Sequence, residues 1–412
     1  MPINVINGLV TTGQTLGVGD DLVVTQIGSL MSSGRAVSAT HDEDVSVAIY
    51  GTVTAGDEAL YFSGGGDSSS ATIFVGETGV VRSFQDTAML FYRDGVVIEN
   101  NGAISSGDSP AILFATGVNG ANIHNTGTIS GGVDAHTISF AGNSTLTAVG
   151  TFRVTNSGII RSDNNLVNGL YENMWVTNSG TMISTDDGVV LSGSTYTNSI
   201  WLLNSGQFLA NDYAVYSTYG SDRITNLGEM AGNIYTSQGD DRVVNSGRII
   251  GNISTGRNDD FVRNSGFVDG IVRLGEDGDE YRGYGGHVTE GIELGFGDDA
   301  AWVDQSGVEI DGGAGVDTVV TRAGTTVIDV EEVTVRGTEH VDVTVAQGAS
   351  TVYGNIGDNH FMNHGADSVA FYGRSGDDRL EAGTSGDTLD GGAGNDMLIG
   401  GTGVDTMTGA AG

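Results

Sequence analysis

The sequence contains no cysteine, no lysine and only two prolines among its 412 residues. Without cysteine the chain forms no disulfide and no zinc–thiolate site. No apolar run approaches the ~18–20 residues of a membrane-spanning helix, so we expect no membrane span. The first residues, MPINVINGLV, lack a basic region followed by an apolar one, so they do not predict a Sec-type signal peptide.

Positive charge is also scarce, because 16 Arg stand against 52 Asp and Glu and the formal net charge is -36. Such a chain repels phosphate backbones and anionic bilayers, so we expect neither nucleic acid nor a membrane surface as a partner. Glycine is abundant, with 68 residues, about twice the usual fraction of roughly 7%. This composition argues against long helices.

Two kinds of internal repeat fill the chain. The first is an Asn-x-Gly motif followed by alternating apolar residues, as in NTGTISG at 125–131 and NSGTMIS at 178–184. Its spacing tightens to 19 residues in the middle of the chain, where 232–250 and 251–269 agree closely. The motif asparagines are Asn100, Asn125, Asn156, Asn178, Asn204, Asn226, Asn245 and Asn264.

Each 19-residue repeat carries three apolar positions separated by Gly, Asn, Asp and Ser. The last of these positions is occupied by Met230, Ile249, Val268 and then His287. Short apolar–polar–apolar segments between turn residues predict three short strands per repeat. Successive repeats then stack as parallel in-register strands, and the asparagines form a hydrogen-bonded ladder. We therefore predict an all-β fold, a right-handed parallel β-helix over residues 1–310, with irregular turns near 56–70 and 131–150.

The second repeat is a nonapeptide that runs without interruption from residue 373: GRSGDDRLE, AGTSGDTLD, GGAGNDMLI and GGTGVDTMT. A further copy, GGAGVDTVV, stands alone at 312–320, and GNIGDNHFM at 354–362 is degenerate. Six Gly- and Asp-rich residues predict a turn, and the next three predict a short strand with its middle residue inward. Two nonapeptides then complete one turn of a flattened coil.

This arrangement places Asp378 beside Asp396, and Asp387 beside Asp405. Two carboxylates about 5 Å apart repel by about 1 kcal/mol in water and by ~3 kcal/mol at an effective dielectric constant near 20. A divalent cation removes that repulsion. Calcium suits the turns because it accepts about 6–8 oxygen ligands, backbone carbonyls included, and Gly-rich turns expose their carbonyls.

The motifs GGAGNDMLI and GGTGVDTMT resemble the GGxGxDxUx nonapeptide of the repeats-in-toxin (RTX) family. The segment 328–345 is similar to the connector that precedes such repeats in secreted proteins. The resemblance implies a C-terminal calcium-binding parallel β-roll over 354–412, after a connector at 311–353. It also implies secretion by a one-step type I system, a non-Sec route, with folding on extracellular calcium.

The family's motif also assigns metal-binding positions, with Ca²⁺ as the ligand. The sixth-position acids and turn glycines that match it are Asp317, Asp378, Asp387, Asp396, Asp405, Gly373, Gly376, Gly391, Gly392, Gly394, Gly400, Gly401 and Gly403. Ala382, Ser385 and Asn359 depart from the motif and weaken their turns as sites. The chain stops within a repeat at GAAG, from which we expect a truncated chain.

The 19-residue repeats carry an acidic position of their own, at Asp222, Asp241, Asp260 and Asp279, with Asp298 and Asp299 farther along. Stacked acids would accept a cation, but Asp is also a common turn residue. The sequence leaves open whether these acids bind a cation or serve only as turn residues.

Three classes of function fit the sequence. Uniform repeats and the absence of a Ser/His/Asp or paired-Glu motif favour a non-catalytic, calcium-stabilised extracellular structural or surface protein, with cell-surface or matrix polysaccharide as a potential partner. The alternative is a polysaccharide-active β-helix enzyme of the lyase or uronan epimerase type, which needs a cationic group beside its substrate. Scattered Arg and net charge -36 weigh against such a cleft. The third is a fragment of a larger RTX adhesin or toxin.

Overall fold

The computed structural model describes residues 3–64, 69–141, 150–170, 173–192 and 198–409. Every regular element in these ranges is a β-strand. The strands pair in parallel and form a β-solenoid of about 18 turns, which confirms the predicted all-β solenoid. In the part of the chain so described, no helical segment is long and apolar enough to span a bilayer. The chain divides into two compact units, Met1–Thr236 and Ser237–Gly412.

The first unit consists of short strands joined by turns. In chain order they are β1 (Ile3–Ile6), β2 (Leu9–Val10), β3 (Gln14–Leu16), β4 (Asp21–Val24), β5 (Ser29–Ser32), β6 (Val37–Ala39), β7 (Val45–Ile49), β8 (Thr52–Ala55), β9 (Leu60–Phe62), β10 (Ala71–Val75), β11 (Val80–Ser83), β12 (Met89–Phe91), β13 (Val96–Asn100), β14 (Ala103–Ser105), β15 (Ile112–Phe114), β16 (Ala121–Asn125), β17 (Thr128–Ser130), β18 (Ile138–Phe140), β19 (Thr151–Asn156), β20 (Ile159–Ser162), β21 (Val167–Gly169), β22 (Asn173–Asn178), β23 (Thr181–Ser184), β24 (Val189–Leu191), β25 (Ile200–Asn204), β26 (Gln207–Ser217), β27 (Arg223–Asn226) and β28 (Glu229–Tyr235).

Three strands make one turn as far as β24, and each pairs in register with its equivalent in the next turn. The longer β26 then pairs with both β23 and β24, and its pairing with β28 is shifted in register. In one such pair, β13 and β16, Ile98 lies opposite Ile123 and Asn100 opposite Asn125. Alternate residues of both strands are buried, because successive side chains of a strand point to opposite faces. The period-2 apolar pattern of the sequence therefore fills the interior.

The second unit continues with shorter turns. Its strands are β29 (Arg242–Asn245), β30 (Arg248–Ile250), β31 (Ile253–Arg257), β32 (Phe261–Asn264), β33 (Phe267–Asp269), β34 (Ile271–Glu276), β35 (Glu280–Gly283), β36 (His287–Val288), β37 (Gly291–Phe296), β38 (Ala300–Val303), β39 (Val308–Ala314), β40 (Thr318–Thr321), β41 (Thr325–Ile328), β42 (Glu332–Val335), β43 (Asp342–Gln347), β44 (Thr351–Tyr353), β45 (His360–Asn363), β46 (Ala370–Tyr372), β47 (Arg379–Glu381), β48 (Thr388–Gly392), β49 (Met397–Ile399) and β50 (Thr406–Gly409).

The number of strands per turn falls from three to two along the second unit. The middle strand shortens from β30 to the two residues of β36, and from β38 onward each turn has two strands. Strands β40–β44 lie within 311–353, the range expected to be a connector, and β39 crosses its first residue. The boundaries at 310 and 353 stay predictions.

An asparagine ladder runs through the buried side of the solenoid, as predicted. In the first unit the Nδ2 of each Asn donates to the Oδ1 of the next, at 2.7–2.9 Å, from Asn100 to Asn226. In the second unit Asn245 donates to Asn264 at 2.9 Å. Each of these side chains is at most 1 % exposed. A buried amide without a hydrogen-bond partner would lose the free energy of its hydrogen bonds to water. The bonds of the ladder replace those lost on burial.

A row of stacked phenylalanines fills one side of the first unit. Phe62, Phe91, Phe114 and Phe140 follow one another with ring centroids 5.1–5.5 Å apart. All four are at most 1 % exposed. Residues of one kind recur at one register position because identical rings stack well at the spacing of parallel strands.

One expected core position was wrong. Val288, and not His287, lies opposite Val268 and is buried, while the His287 ring stacks outside on Phe267 at 5.2 Å. The repeat gains one residue here: 19 residues separate Ile249 from Val268, and 20 separate Val268 from Val288. A fixed spacing of 19 therefore assigns the wrong face, since a one-residue shift reverses every side chain of a strand.

Candidate metal centre

The nonapeptides form the flattened coil expected of them. Their strands β47 and β49 pair with Leu380 opposite Leu398, and β48 and β50 pair with Leu389 opposite Met407. Leu380 and Leu389 are fully buried. Equivalent turns therefore lie 18 residues apart, and each turn follows the previous strand immediately.

The sixth-position acids stack as the spacing predicts. The backbone N–H of Asp378 donates to Oδ1 of Asp396 at 3.0 Å. The N–H of Asp387 donates to Oδ1 of Asp405, also at 3.0 Å. One carboxylate oxygen of each later turn thus accepts a hydrogen bond from the backbone of the earlier one.

Three of the four nonapeptides begin with a glycine that gives the carboxylate room, and the other begins with Ala382. A Cβ on Gly373 would lie 2.3 Å from Oδ2 of Asp378, and one on Gly391 would lie 2.4 Å from Oδ2 of Asp396. At Gly400 the corresponding distance to Oδ2 of Asp405 is 2.7 Å. Any other residue at these positions would displace the acid.

The remaining predicted glycines shape the turn backbone. Positive φ angles, which favour glycine, occur at Gly376, Gly392, Gly394 and Gly401. A Cβ on Gly394 would lie 1.9 Å from the carbonyl oxygen of Gly376, and one on Gly403 would lie 1.9 Å from that of Ser385. Carbonyl oxygens of one turn therefore point at the glycines of the next.

Burial disfavours the ionised form of the Asp378 carboxylate. Asp378 is 1 % exposed, and its Oδ2 is buried without a hydrogen-bond partner. Desolvation by burial, and then the neighbouring Asp396, raise its pKa to about 6. An ionised oxygen in this position needs a positive partner, and no ion pair among the described residues supplies one.

The degenerate turn at 354–359 shows the contrast. Here Asn359 stands in the acidic position; its Nδ2 donates to Oδ1 of Asn355 at 3.2 Å, and its Oδ1 accepts the N–H of Asn355 at 3.0 Å. Both polar atoms of the Asn359 amide thus form hydrogen bonds within the turn. Asp387 also differs from Asp378, because its Oδ2 accepts the N–H of Gly383 at 3.0 Å.

Asp317, from the isolated nonapeptide, does not lie with the C-terminal acids. Its Oδ1 accepts the N–H of Asp299 at 3.0 Å, and its own N–H donates to Glu331 at 2.7 Å. The next equivalent positions, before β44 and β46, are Ser350 and Val369. Desolvation raises the pKa of Asp317 to about 7, with Asp299 and Glu331 adding to the shift.

Glu331 was missed by the sequence analysis. It occupies the acidic position only 14 residues after Asp317, so neither the 18- nor the 19-residue spacing finds it. The signal that could have found it is local, because Glu331 directly precedes strand β42 (Glu332–Val335), as each acid precedes its strand.

These turns suit a calcium ion because of their backbone oxygens rather than because of a cluster of ligating side chains. The described residues contain no group of three or more His, Cys, Asp or Glu placed to hold a metal. Calcium is bound in such geometry by backbone carbonyl oxygens together with one or two carboxylates, in a flexible shell of about 6–8 oxygens. The unpartnered Oδ2 of Asp378 and the carbonyls that face Gly394 and Gly403 are oxygens of this kind.

The C-terminal segment is a repetitive coil of stacked Gly-rich turns, each ending in an aspartate, and two of these aspartates, Asp378 and Asp387, are buried. Residues 372–407 match the family model of the RTX calcium-binding nonapeptide repeat, in four copies. This segment is therefore an array of RTX calcium-binding repeats, with a parallel β-solenoid upstream. No curated protein and no solved structure matches the chain significantly.

Proposed function

We propose that the protein is a secreted, non-catalytic structural or surface protein whose β-roll over 354–412 folds on extracellular calcium. The observation that carries the proposal is the buried, unpartnered Oδ2 of Asp378, stacked on Asp396 in a segment of calcium-binding repeats. RTX repeats are typical of secreted proteins. Export by a type I, non-Sec route extends the same proposal.

The calcium ligands in this proposal are the predicted positions. The aspartates supply carboxylate oxygens, and the turn glycines leave space for the ion and expose carbonyls. They are Asp317, Asp378, Asp387, Asp396, Asp405, Gly373, Gly376, Gly391, Gly392, Gly394, Gly400, Gly401 and Gly403. When bound, the ion supplies the positive charge that each stacked pair lacks.

Without calcium the last turns have little to hold them together. Leu398 is only partly buried, Met407 is 53% exposed and Val404 is 94% exposed. An apolar contribution of about 25 cal/mol per Å² from so few side chains is small beside a column of repelling carboxylates. Folding of these last turns therefore depends on the ion.

The test is a chelator titration of the full chain, followed by circular dichroism and limited proteolysis. We expect 354–412 to become protease-sensitive before the rest of the chain. Asp396→Ala is expected to raise the calcium concentration needed for protection, whereas Asp163→Ala, at an exposed position outside any stacked pair, is not. Unchanged protease resistance in excess chelator, or equal calcium midpoints for the two variants, would contradict the proposal.

A second candidate function, binding of an anionic polysaccharide, is supported by a cationic and aromatic patch in the second unit. Arg242, Phe261, Arg263, Arg282 and Tyr284 line a shallow cavity of about 330 Å³. The Arg242 guanidinium lies 4.1 Å from the centroid of Phe261. These three arginines are scattered along the sequence, but the folded chain brings them onto one face.

This patch offers what an acidic sugar requires, namely guanidinium groups for carboxylates and ring faces for stacking. Arg282 is also paired with Glu280, which lowers its availability. We expect polygalacturonate, but not neutral dextran, to retard the protein in affinity electrophoresis. Arg242→Ser with Arg263→Ser should abolish the retardation, whereas Arg82→Ser, outside the patch, should not. Retardation unaffected by the patch variant would refute this candidate, and new unsaturated products would indicate the lyase alternative.

A further inference from the structure

A second set of acidic turns lies upstream of the nonapeptide repeats. They directly precede β32, β35, β38 and β40 and end in acids that stack on one another. These turns are 255–260, 274–279, 294–299 and 312–317. All four lie outside the segment 372–407 that matches the calcium-binding repeat.

The upstream turns have the same backbone conformation as two of the nonapeptide turns. In each upstream turn the second and fourth residues have positive φ. The pairs are Gly256 (114°) and Asn258 (76°), Gly275 (130°) and Asp277 (81°), Gly295 (118°) and Gly297 (144°), and Gly313 (86°) and Gly315 (145°). The nonapeptide turns show the same pattern at Arg374 (76°) and Gly376 (116°), and at Gly392 (84°) and Gly394 (141°). Only the last upstream turn has the full nonapeptide sequence.

The carbonyl groups of the upstream turns are arranged like those of the repeats. A Cβ on Gly295 would lie 2.1 Å from the carbonyl oxygen of Gly275, and one on Gly313 would lie 2.0 Å from that of Gly295. A Cβ on Gly315 would lie 1.7 Å from the carbonyl oxygen of Gly297. Each turn thus presents carbonyl oxygens to the next, as Gly376 does to Gly394.

The acid that ends each upstream turn keeps one oxygen without a partner. Oδ1 of Asp299 accepts the N–H of Asp279 at 2.6 Å, and Oδ1 of Asp317 accepts that of Asp299 at 3.0 Å. Oδ2 of Asp279, Asp299 and Asp317 is buried and makes no hydrogen bond. These side chains are 3 %, 2 % and 0 % exposed, and no ion pair of the described residues includes them.

We propose that the calcium array extends upstream of the nonapeptide repeats, with cation sites at the stacked turns 274–279, 294–299 and 312–317. Each site uses the unpartnered Oδ2 of Asp279, Asp299 or Asp317 together with backbone carbonyl oxygens, the oxygen donors that calcium prefers. The inference rests on the proposed function only for the identity of the ion.

Electrostatics agrees with this geometry. Burial raises the pKa of Asp279 to about 8, and the neighbouring Asp299 adds to the shift. Burial likewise raises the pKa of Asp299. A protonated carboxyl would also lack an acceptor for its proton at Oδ2, so protonation alone leaves the polar atom unsatisfied.

The experiment compares the full chain with two double variants. Asp279→Asn with Asp299→Asn alters the upstream turns and keeps an oxygen for the N–H that each acid accepts from the preceding turn. Asp108→Asn with Asp163→Asn removes the same charge from exposed positions. Bound calcium is counted by equilibrium dialysis, and peptide-resolved hydrogen exchange is measured with and without calcium.

In the parent chain we expect calcium to slow amide exchange by about tenfold or more in both 271–303 and 373–409. The upstream variant should bind fewer ions per chain and lose the protection of 271–303 while keeping that of 373–409. In calcium-free buffer the same variant should be more stable than the parent, because it has lost two buried acids.

The outcomes separate the two proposals. Calcium protection confined to 373–409 in the parent, or an unchanged ion count in a folded upstream variant, would overturn the upstream sites, the role of Asp317 included, and leave the proposed calcium-dependent β-roll over 354–412 standing. Absence of calcium protection in both segments would overturn both. Loss of ions in the exposed-site control would show general charge screening and would also overturn the upstream sites.

Discussion

In the absence of calcium, the free energy of unfolding of the second unit should be larger at pH 5 than at pH 6 or 7. Burial raises the pKa of Asp260 to about 9, that of Asp279 to about 8 and that of Asp317 to about 7. In the unfolded chain these groups titrate near 3.8. A pKa raised on folding contributes stability that is complete below about pH 4 and is lost as the pH rises through the folded value.

The magnitude follows from proton counting. Between pH 5 and 6 each of the three carboxyls holds a proton when folded and none when unfolded. Each therefore lowers the free energy of unfolding by up to about 1.4 kcal/mol per pH unit, and the three together by up to ~4 kcal/mol. Calcium should reverse the sign, since binding requires the ionised form and strengthens as protons leave.

Trp302 provides the readout. It lies in β38, which begins directly after Asp299 and pairs with the strand that follows Asp317. With Trp175→Phe and Trp201→Phe it is the sole remaining Trp of three. Urea unfolding is followed by its fluorescence from pH 5 to 7, after calcium removal on a chelating resin and in 0.5 M NaCl.

The salt reduces the general repulsion of a chain of net charge -36, because the Debye length is only a few Å at such ionic strength, whereas buried carboxyls are screened much less. Asp279→Asn should flatten the pH dependence by about one third, and Asp163→Asn should leave it unchanged. A calcium-free urea midpoint that stays constant or rises between pH 5 and 7 would refute the reasoning.

Two further predictions concern the solenoid itself. Asn178→Ala removes three hydrogen bonds of that side chain, two that it donates to Oδ1 of Asn204 and to the carbonyl of Gln207 and one that it accepts from Asn156. We therefore expect a loss of about 2–4 kcal/mol in urea unfolding. Asn122→Ala, on the outward side of β16, should cost much less, and equal losses would contradict a role of the ladder. Phe114→Ala opens a cavity in the buried stack and should lower the free energy of unfolding by about 3–5 kcal/mol. The exposed Phe84→Ala should lower it by well under half as much. Equal urea midpoints for the two variants would contradict this prediction.

The sequence alone supplied most of the fold because the repeat is short and the strands pair in register. In such a coil the apolar period of 2 and the turn residues decide every strand locally, and a spacing of 18 or 19 residues decides what stacks on what. The Asn ladder and the pairing of Asp378 with Asp396 followed directly from numbering. Neither requires knowledge of distant contacts.

Only the tertiary structure decided the features that depend on irregular spacing and on side-chain direction. The turns vary in length, so numbering could not show that Asp317 meets Glu331, which follows it by only 14 residues, or that Val288 replaces His287 in the core. Nor could it show which carboxylate oxygen lacks a partner, since that depends on which neighbouring N–H groups reach it. The reason is physical. A repeat pattern specifies which backbone segments stack, whereas the burial and hydrogen bonding of a single atom depend on every neighbouring atom in the folded protein.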